Sequence, residues 1–425
     1  MSNTSSIPAE VTFSVNFTDE AGNTLSPSRK LTLASGAPFK ILSPAVAGYY
    51  TREVYVKGIA SEDAVDVVYK KIPASVSSSH VNSLLTDIVC WGDSLTAGAG
   101  SANLASAKAN GIDLTALGST PTGASYVKVL EKLILDKTGA AITVNNCGVG
   151  GEPSNVIAAR AGSDTYHLYL GAQVVLTDQS APIDIQQFSN AGRLGILRQM
   201  QEKGETVNDV KIQGFDANGA PVTVTGKISV ALSPDTPDGE KLTLCDYKYL
   251  RYTFTRTDGG TGTVTLPKGA RIVTSGADKY SGQFCIIFMG QNGGYKDAAE
   301  LITQAKEIIA ANGTSEYLII STHGGTAASR KSLSDALTAE FGDRYINMGT
   351  EFSSPDAYHI AGLPYSVIGE NKEQIESGTV AGIFLSDHIH PNALGYAVVG
   401  NIVMERLVAL GLFDPIFDYY DSLKD

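Results

Sequence analysis

The sequence predicts an α/β protein whose parallel sheet is covered by helices on both faces, with a small all-β module before it and a β-rich insertion inside it. Three observations lead to this prediction. From residue 87 onward, short apolar runs alternate with stretches of helical periodicity; residues 10–72 alternate apolar and polar side chains; and the helical signal is nearly absent between residues 164 and 280. We therefore divide the chain into an N-terminal module with its linker, residues 1–80, and an α/β domain, residues 81–425, which is interrupted at 164–280.

The N-terminal residues predict strands that bury one face. Val11, Phe13, Val15 and Phe17 alternate with polar residues, which is the period of a half-buried strand. The pattern of residues 10–72 resembles the mucin-binding-protein-like repeats of bacterial surface proteins, and a simple spacer is the alternative interpretation. The serine-rich stretch that follows predicts a linker, so the module is expected to be separable from the rest of the chain.

The α/β domain is predicted from its alternating elements. Strands are expected at residues 87–94, 142–146, 284–289, 317–321 and 345–348. Helices are expected at residues 126–135, 298–311 and 393–412. Strands that alternate with helices imply a parallel sheet buried on both faces.

The insertion is predicted from short alternating runs with no helical pattern between them. These runs are residues 222–224, 228–230, 242–244, 249–254 and 264–266. Because the insertion lies between Gly151 and Asn292, its base is expected close to the mouth of the active site. Its aromatic residues, which are Tyr247, Tyr249, Tyr252 and Phe254, either offer faces to sugar rings or fill the insertion's own core.

Composition excludes several classes of partner. A hydrophobic content of 43% is enough for a sizeable core. The net charge of -12 argues against binding nucleic acid or an anionic membrane surface. No apolar run reaches the length of about 18 residues that a membrane-spanning helix needs. The polar start of the chain lacks the basic and apolar regions of a signal peptide, which leaves retention in the cell, another export route or a removed signal.

The cysteines and histidines predict no metal site. The chain has four cysteines, which are Cys90, Cys147, Cys245 and Cys285, and none is paired at metal-ligand spacing. Three of the four lie in apolar, strand-like runs, where cysteine behaves as a small buried hydrophobe. We therefore expect neither a metal nor another cofactor.

A candidate nucleophile follows the first strand of the α/β domain. The string Gly92-Asp93-Ser94-Leu95 would lift a serine hydroxyl to the C-terminal edge of the sheet, where open α/β folds bind ligands. A free serine hydroxyl is a weak nucleophile and needs a general base. Asp387 and His390, three residues apart near the end of the chain, offer that base and a group to orient it. Ordinary turn chemistry is the alternative explanation for each motif alone.

Glycine-rich turns after two other strands offer donors for an oxyanion. Residues 146–152 close the second strand, and residues 290–294, which include Asn292, close the strand beginning at Phe284. Glycines let backbone N–H groups approach a substrate closely. His323 follows another strand end, so it is expected to line the pocket and bind substrate.

Together these segments resemble the SGNH, or GDSL-type, hydrolase superfamily. The resemblance rests on four segments in the family's order, which are Gly92-Asp93-Ser94-Leu95, Gly148-Val149-Gly150-Gly151, Gly290-Gln291-Asn292 and Asp387-His388-Ile389-His390-Pro391. It covers residues 85–412 without the insertion and implies a three-layer α/β/α sandwich. One departure is Gly293, which stands where the family usually has Asp.

The resemblance implies a role for each matched residue. Ser94 would be the nucleophile, His390 the base, and Asp387 the residue that orients His390. The oxyanion would be held by the backbone N–H groups of Ser94 and Gly151 and by the side chain of Asn292. The implied reaction is hydrolysis of an acyl ester.

The substrate class follows from the added modules rather than from the motifs. The β modules and the shortage of a long apolar lid favour an O-acetyl ester on a carbohydrate or polysaccharide. A lipase or thioesterase for longer acyl chains is one alternative, and a phage tail or surface adhesin with a degenerate hydrolase core is another. The modular build resembles that of phage tail and bacterial surface esterases, which implies an extracellular or phage-particle location.

Overall fold

The protein is a mixed α/β chain in this computed structural model, which describes residues 10–61, 63–177, 179–187, 206–239, 249–273 and 276–423. The strands are β1 Glu10–Asp19, β2 Thr24–Ala34, β3 Pro38–Leu42, β4 Tyr49–Tyr50, β5 Tyr55–Ile59, β6 Val65–Lys71, β7 Ile88–Gly92, β8 Val144–Gly148, β9 Leu168–Leu170, β10 Val174–Leu176, β11 Ser180–Ile183, β12 Ile185–Gln187, β13 Thr206–Asp216, β14 Pro221–Leu232, β15 Leu250–Arg256, β16 Val264–Leu266, β17 Arg271–Val273, β18 Phe284–Phe288, β19 Tyr317–Ile320 and β20 Tyr345–Ile346. The helices are α1 Ser78–Ser83, α2 Ser94–Ala97, α3 Ala105–Ala109, α4 Tyr126–Thr138, α5 Ser154–Ala161, α6 Gly276–Lys279, α7 Ala298–Asn312, α8 Ala327–Phe341, α9 Met348–Ser353, α10 Pro355–Ala361, α11 Tyr365–Glu370, α12 Lys372–Ser377, α13 Ala393–Ala409 and α14 Asp414–Ser422. The predicted combination of α/β class and all-β N-terminal region is confirmed.

The N-terminal region forms a small sheet in the order β2–β1–β6–β4, beside a β3–β5 pair. Strand β1 pairs antiparallel with β2 and parallel with β6. Phe13, Val15 and Phe17 are buried in the core of this region, and Val67 and Tyr69 of β6 pack with them. The alternation seen in the sequence therefore separates a buried face from a solvated one, as predicted.

The N-terminal region is also packed against the α/β domain, contrary to the expectation that it is separable. Leu42, Tyr50, Val54 and Tyr55 are buried in the same apolar core as the parallel sheet. The Tyr55 hydroxyl donates a 2.8 Å hydrogen bond to the backbone carbonyl of Asn401 in α13. The two regions thus share one core instead of being joined by a flexible segment.

Ion pairs reinforce this contact. Lys40 lies 3.0 Å from the carboxylate of Asp356 and 2.9 Å from that of Glu405, and Arg52 pairs with Asp418 and Asp421 of α14. The serine-rich stretch predicted to be a linker instead forms α1, which the Ser77 side chain caps. The expectation of a flexible linker is therefore wrong, because the serines act as helix-capping and helical residues.

The parallel sheet has the order β20–β19–β18–β7–β8 among the described strands. In its register Gly92 lies opposite both Phe288 and Gly148, so the carboxyl ends of β7, β18 and β8 lie side by side. Every residue of β7 and β18 is buried. This explains why these strands appear in the sequence as continuous apolar runs rather than as alternating ones.

Helices pack against both faces of this sheet. Helices α4 and α13 share the core on one face, and α5, α7 and α8 share the core on the other. Among the described residues no single helix is long and apolar enough to cross a membrane; only the α13–α14 pair, bent by 61°, meets the length and composition test.

The insertion forms its own sheet from β9 to β17, with an apolar core of its own. It leaves the α/β domain after α5 and returns before Phe284, which is the amino end of β18 and pairs with Ile88. Asn292 follows the other end of that strand. The expectation that the base of the insertion borders the active-site mouth is therefore wrong, because the return point lies at the opposite edge of the sheet. The four steps from Phe284 to Phe288, at about 3.3 Å each, separate the two edges by about 13 Å.

Three of the four aromatic residues that the sequence singled out in the insertion lie in its core or against it. Phe254 is fully buried, Tyr252 is buried, and Tyr249 packs against the same cluster. Tyr247 lies outside the described residues. The sequence allowed two interpretations of these aromatics, and the positions of Tyr249, Tyr252 and Phe254 support the one in which they fill the core of the insertion.

Candidate active site

Ser94 begins a short helix directly after strand β7 of the parallel sheet. The strand ends at Gly92, two residues earlier than predicted, because Asp93 caps α2 by accepting a 2.9 Å hydrogen bond from the backbone N–H of Leu95. A side chain at Gly92 would place a Cβ 2.7 Å from the carbonyl oxygen of Phe288 and still closer to the Thr96 hydroxyl. Only glycine therefore lets the chain turn here and hold Ser94 at the sheet edge. Ser94 is 9% exposed there.

The structure brings His390 and Asp387 to Ser94. The His390 Nε2 atom lies 2.9 Å from the Ser94 Oγ atom, and the His390 Nδ1 atom lies 2.8 Å from an Asp387 carboxylate oxygen. Ser94 and His390 are 296 positions apart in the sequence. The three side chains form one hydrogen-bonded chain with the geometry of a nucleophile, a base and an orienting carboxylate.

A tight loop fixes Asp387 in this chain. Its other carboxylate oxygen accepts hydrogen bonds of 2.7 Å from the backbone N–H groups of Ile389 and His390. The side-chain hydrogen bond to His390, followed by these backbone bonds, holds the pKa of Asp387 well below its usual range. Asp387 therefore stays ionised at neutral pH, although its side chain is half exposed.

Two backbone donors lie beside the serine. The N–H groups of Ser94 and Gly151 make no hydrogen bond to another described residue. Gly151 has a positive φ of 69°, a conformation that side chains disfavour. Both N–H groups are thus available to a ligand at the sheet edge.

Asn292 lies at the same edge, but its amide already has partners. Its Nδ2 atom donates to a carboxylate oxygen of Asp93 at 3.0 Å and to the backbone carbonyl of Glu152 at 3.2 Å. To hold an oxyanion, the amide must exchange one of these two bonds for a bond to the ligand. The structure therefore brings all three implied donors into one area and shows one of them engaged.

Asp93 is a titratable group that the sequence did not single out. It is fully buried, and burial raises the pKa of its carboxyl to about 7, with the Leu95 N–H bond lowering it and nearby Glu152 raising it. Its hydrogen bond to Asn292 links this carboxyl to the candidate oxyanion site.

His323 does not line the pocket, so its assignment as a substrate-binding residue is wrong. It is 3% exposed, and its Nε2 atom lies 2.7 Å from the carbonyl oxygen of Ile389. Burial lowers the pKa of His323 to about 4, so the neutral ring donates to that carbonyl. His323 thus braces the loop that carries His390, while His388 is exposed.

The described residues contain no group of three or more His, Cys, Asp or Glu side chains that could hold a metal ion. Cys90 and Cys285 are fully buried in the sheet, and Cys147 is partly buried. Burial raises the pKa of each of these three thiols. Cys245 lies outside the described residues.

Neither a known protein family nor a curated protein matches the chain. The chemistry of the site is therefore the basis for assigning a function.

Proposed function

We propose that this protein is a serine esterase of the SGNH type, which hydrolyses acyl esters. The observation that carries the proposal is the hydrogen-bonded chain from Ser94 through His390 to Asp387. Each member has the partner that its role requires, and the carboxylate is held in its ionised form. A degenerate core in an adhesin would have no reason to keep all three in contact.

The geometry supports a two-step mechanism. His390 Nε2 takes the proton from Ser94 Oγ as the oxygen attacks the ester carbonyl, and the tetrahedral intermediate places its negative oxygen toward the N–H groups of Ser94 and Gly151. His390 then gives the proton to the leaving alcohol. Water, activated by the same histidine, hydrolyses the acyl-serine and restores the free enzyme.

The family proposal rests on where the four motif segments lie. Ser94, Gly151 and Asn292 each follow the carboxyl end of a parallel strand, and the segment that carries Asp387 and His390 meets them there. Helices on both faces of the sheet agree with the three-layer α/β/α sandwich that we propose for residues 81–425. Gly293, the departure from the family pattern, has a positive φ of 69°, which favours glycine over Asp at this position.

We propose a short acyl group, such as acetyl, on a carbohydrate or another polar alcohol. A long acyl chain needs apolar surface to lie on, and among the exposed large hydrophobic residues described only Ile389 belongs to the active-site loops. This observation favours the short-chain ester over the lipase and thioesterase alternatives. The buried aromatics of the insertion lend no support to a polymeric substrate, so the size of the alcohol is a question for a substrate panel.

The decisive experiment replaces the nucleophile. Ser94→Ala should lower the turnover of 4-nitrophenyl acetate by at least about a thousandfold, the scale of loss on removing a triad member. A fluorophosphonate probe should label Ser94 alone, as located by peptide mass spectrometry. Ser101→Ala, a serine in the following loop, is the matched control and should retain activity.

Two results would contradict the proposal: a Ser94→Ala variant that keeps its activity, or labelling of a different serine. Comparing 4-nitrophenyl acetate with a long-chain ester and an acetylated polysaccharide then tests the substrate class. A preference for the long chain would replace the acetyl-ester proposal with the lipase alternative.

A further inference from the structure

A buried ion pair lies directly beneath the candidate oxyanion site. Glu152 is 0% exposed, and the Arg160 guanidinium donates to its carboxylate from Nε at 3.0 Å and from Nη2 at 2.8 Å. The guanidinium also lies 5.2 Å from the centre of the Trp91 ring, within the range of a cation–π contact. No motif in the sequence points to this pair.

Arg160 also binds the ends of two parallel strands. It donates to the carbonyl oxygen of Cys147 in β8 at 2.6 Å and lies 3.4 Å from that of Gly92 in β7. The Gly92 carbonyl in turn accepts a 3.0 Å hydrogen bond from the backbone N–H of Val149. One planar guanidinium therefore holds these two strand ends and the Glu152 carboxylate in fixed relation.

Each candidate oxyanion donor is attached to a group in this network. Ser94 follows Gly92 by two residues, and Gly151 directly precedes Glu152. The Asn292 amide donates to the backbone carbonyl of Glu152. A shift of the Arg160–Glu152 pair would consequently move all three donors relative to one another.

Stability alone is a weak reason for such a pair. Burying two charges costs desolvation energy that their attraction barely repays, and well-packed apolar side chains can replace such a pair without loss of stability. The bonds that a guanidinium forms to several differently placed acceptors have no apolar substitute, because they fix directions as well as distances.

We propose that Arg160, acting through Glu152 and the ends of β7 and β8, is a positioning residue for the oxyanion site. It touches neither substrate nor the reacting atoms, and it holds the donors of Ser94, Gly151 and Asn292 in register. This inference rests on the proposed esterase function and deepens it. Because an oxyanion exists only after attack, disturbing Arg160 slows the chemical step and leaves substrate binding nearly unchanged.

Arg271 of β17 offers a matched control, because it binds backbone carbonyls that directly follow the helix carrying Arg160. Arg271 donates to the carbonyl oxygens of Gly162 and Ser163 at 2.7 and 2.8 Å, and it pairs with the Asp164 carboxylate at 2.5 Å. Arg271 thus makes the same kinds of bonds as Arg160 but touches no candidate donor. A fall in kcat that is common to both arginine variants reflects general structural damage. A fall confined to the Arg160 variant reflects its place beside the oxyanion site.

The test measures kcat and KM for 4-nitrophenyl acetate in the full chain. Arg160→Met should lower kcat by about a hundredfold, the scale of losing one oxyanion donor, with KM changed less than about threefold. Arg271→Met should leave kcat and KM within about threefold of the values for the parent chain. Glu152→Gln keeps the size of the side chain and a hydrogen-bonding oxygen, so its kcat should fall less than that of Arg160→Met. It replaces Arg160→Met in the test if that variant is poorly folded.

A double-variant cycle separates positioning from general damage. If Arg160 acts through the oxyanion site, its effect should shrink at least about tenfold once Asn292→Ala has removed one donor. Effects that multiply independently would overturn the inference, as would equal losses in the Arg160 and Arg271 variants. In either case, an inactive Ser94→Ala variant would mean that only the inference about Arg160 fails and that the proposed esterase function stands. An active Ser94→Ala variant would instead overturn the proposed function.

Discussion

At the scale of single residues, the two histidines of the last motif have different surroundings although only one residue separates them. His390 has a hydrogen-bond partner on each ring nitrogen, Ser94 on one side and Asp387 on the other. His388 is exposed on the same loop. The backbone bonds from Ile389 and His390 to Asp387 aim the second histidine, not the first, at the serine.

We therefore expect His390→Ala to lower kcat/KM for 4-nitrophenyl acetate by at least about a thousandfold, since the serine loses its base. His388→Ala should change the same quantity by less than about fivefold. Steady-state assays on both variants, with melting curves to show that each is folded, provide the comparison. A larger loss in the His388 variant would show that His390 is not the base.

The sequence predicted which side chains would meet at the triad but not those that support it. Ser94, Asp387 and His390 lie in short motifs whose order along the chain carries information. Arg160 lies outside every motif, and Asp93, although it belongs to the first motif, is buried and bonded to Asn292 in a way that no local pattern records. His323 shows the same limit, because a position after a strand end does not reveal whether a side chain faces the pocket or the protein interior.

At the scale of elements, the end of β8 touches the turn that carries Ser94. A Cβ built on Gly148 would lie 2.1 Å from the backbone nitrogen of Ala97 and 2.6 Å from the carbonyl carbon of Thr96. The Asn146 side chain further ties the two elements by donating a 2.8 Å hydrogen bond to the Thr96 carbonyl. Gly148, the first glycine of the second motif, is thus required by a close backbone approach, whereas the candidate donor is Gly151.

Gly148→Ala should push α2 away from β8 and displace Ser94, because both clashing atoms belong to the backbone. We expect kcat to fall at least about tenfold, since a shift of about 1 Å can cost a hundredfold, and the free energy of unfolding to fall by about 1–3 kcal/mol. Gly262→Ala, where a Cβ meets nothing within 4 Å, is the control. Assays and denaturant titrations of both variants measure the effects, and an unimpaired Gly148→Ala enzyme would show that the turn can move without consequence.

The strands of the insertion illustrate what periodicity can and cannot predict. Alternation located the runs containing Val224, Phe254 and Val264, and these side chains are buried in a shared core. An alternating pattern predicts that one face of a strand is buried, but it does not predict which residues cover that face. The aromatics therefore fitted a sugar platform and a core equally well until the other strands were placed.

At the scale of the whole molecule, the N-terminal region and the α/β domain are complementary in charge. Lys40, Lys57 and Arg52 of the first region meet Glu405, Asp356 and the acidic side of α14. The partners are more than 300 positions apart in the sequence, so no local pattern could reveal their pairing. This is why a serine-rich stretch suggested a separable module where the structure has a shared core.

The same contact reverses the expected result of removing residues 1–80. Deletion would expose the apolar surface that now covers Tyr55 and Leu42, so we expect an aggregating or much less stable protein rather than an intact small esterase. A milder test is Lys40→Met, which leaves the partly buried carboxylates of Glu405 and Asp356 short of a partner. Breaking a buried pair costs about 3–5 kcal/mol. Because Asp356 is partly exposed and Glu405 keeps its pair with Lys57, we expect the free energy of unfolding to fall by an amount near the lower value.

Lys306→Met, which breaks an exposed pair with Glu340, is the control and should lower the free energy of unfolding by less than about 1 kcal/mol. Chemical denaturation followed by tryptophan fluorescence reports on the α/β core directly, because Trp91 lies in strand β7 of the parallel sheet. If Lys40→Met unfolds at the same denaturant concentration as the parent chain, the ion pairs of Lys40 do not contribute to stability, and the contact between the two regions depends on their shared apolar core.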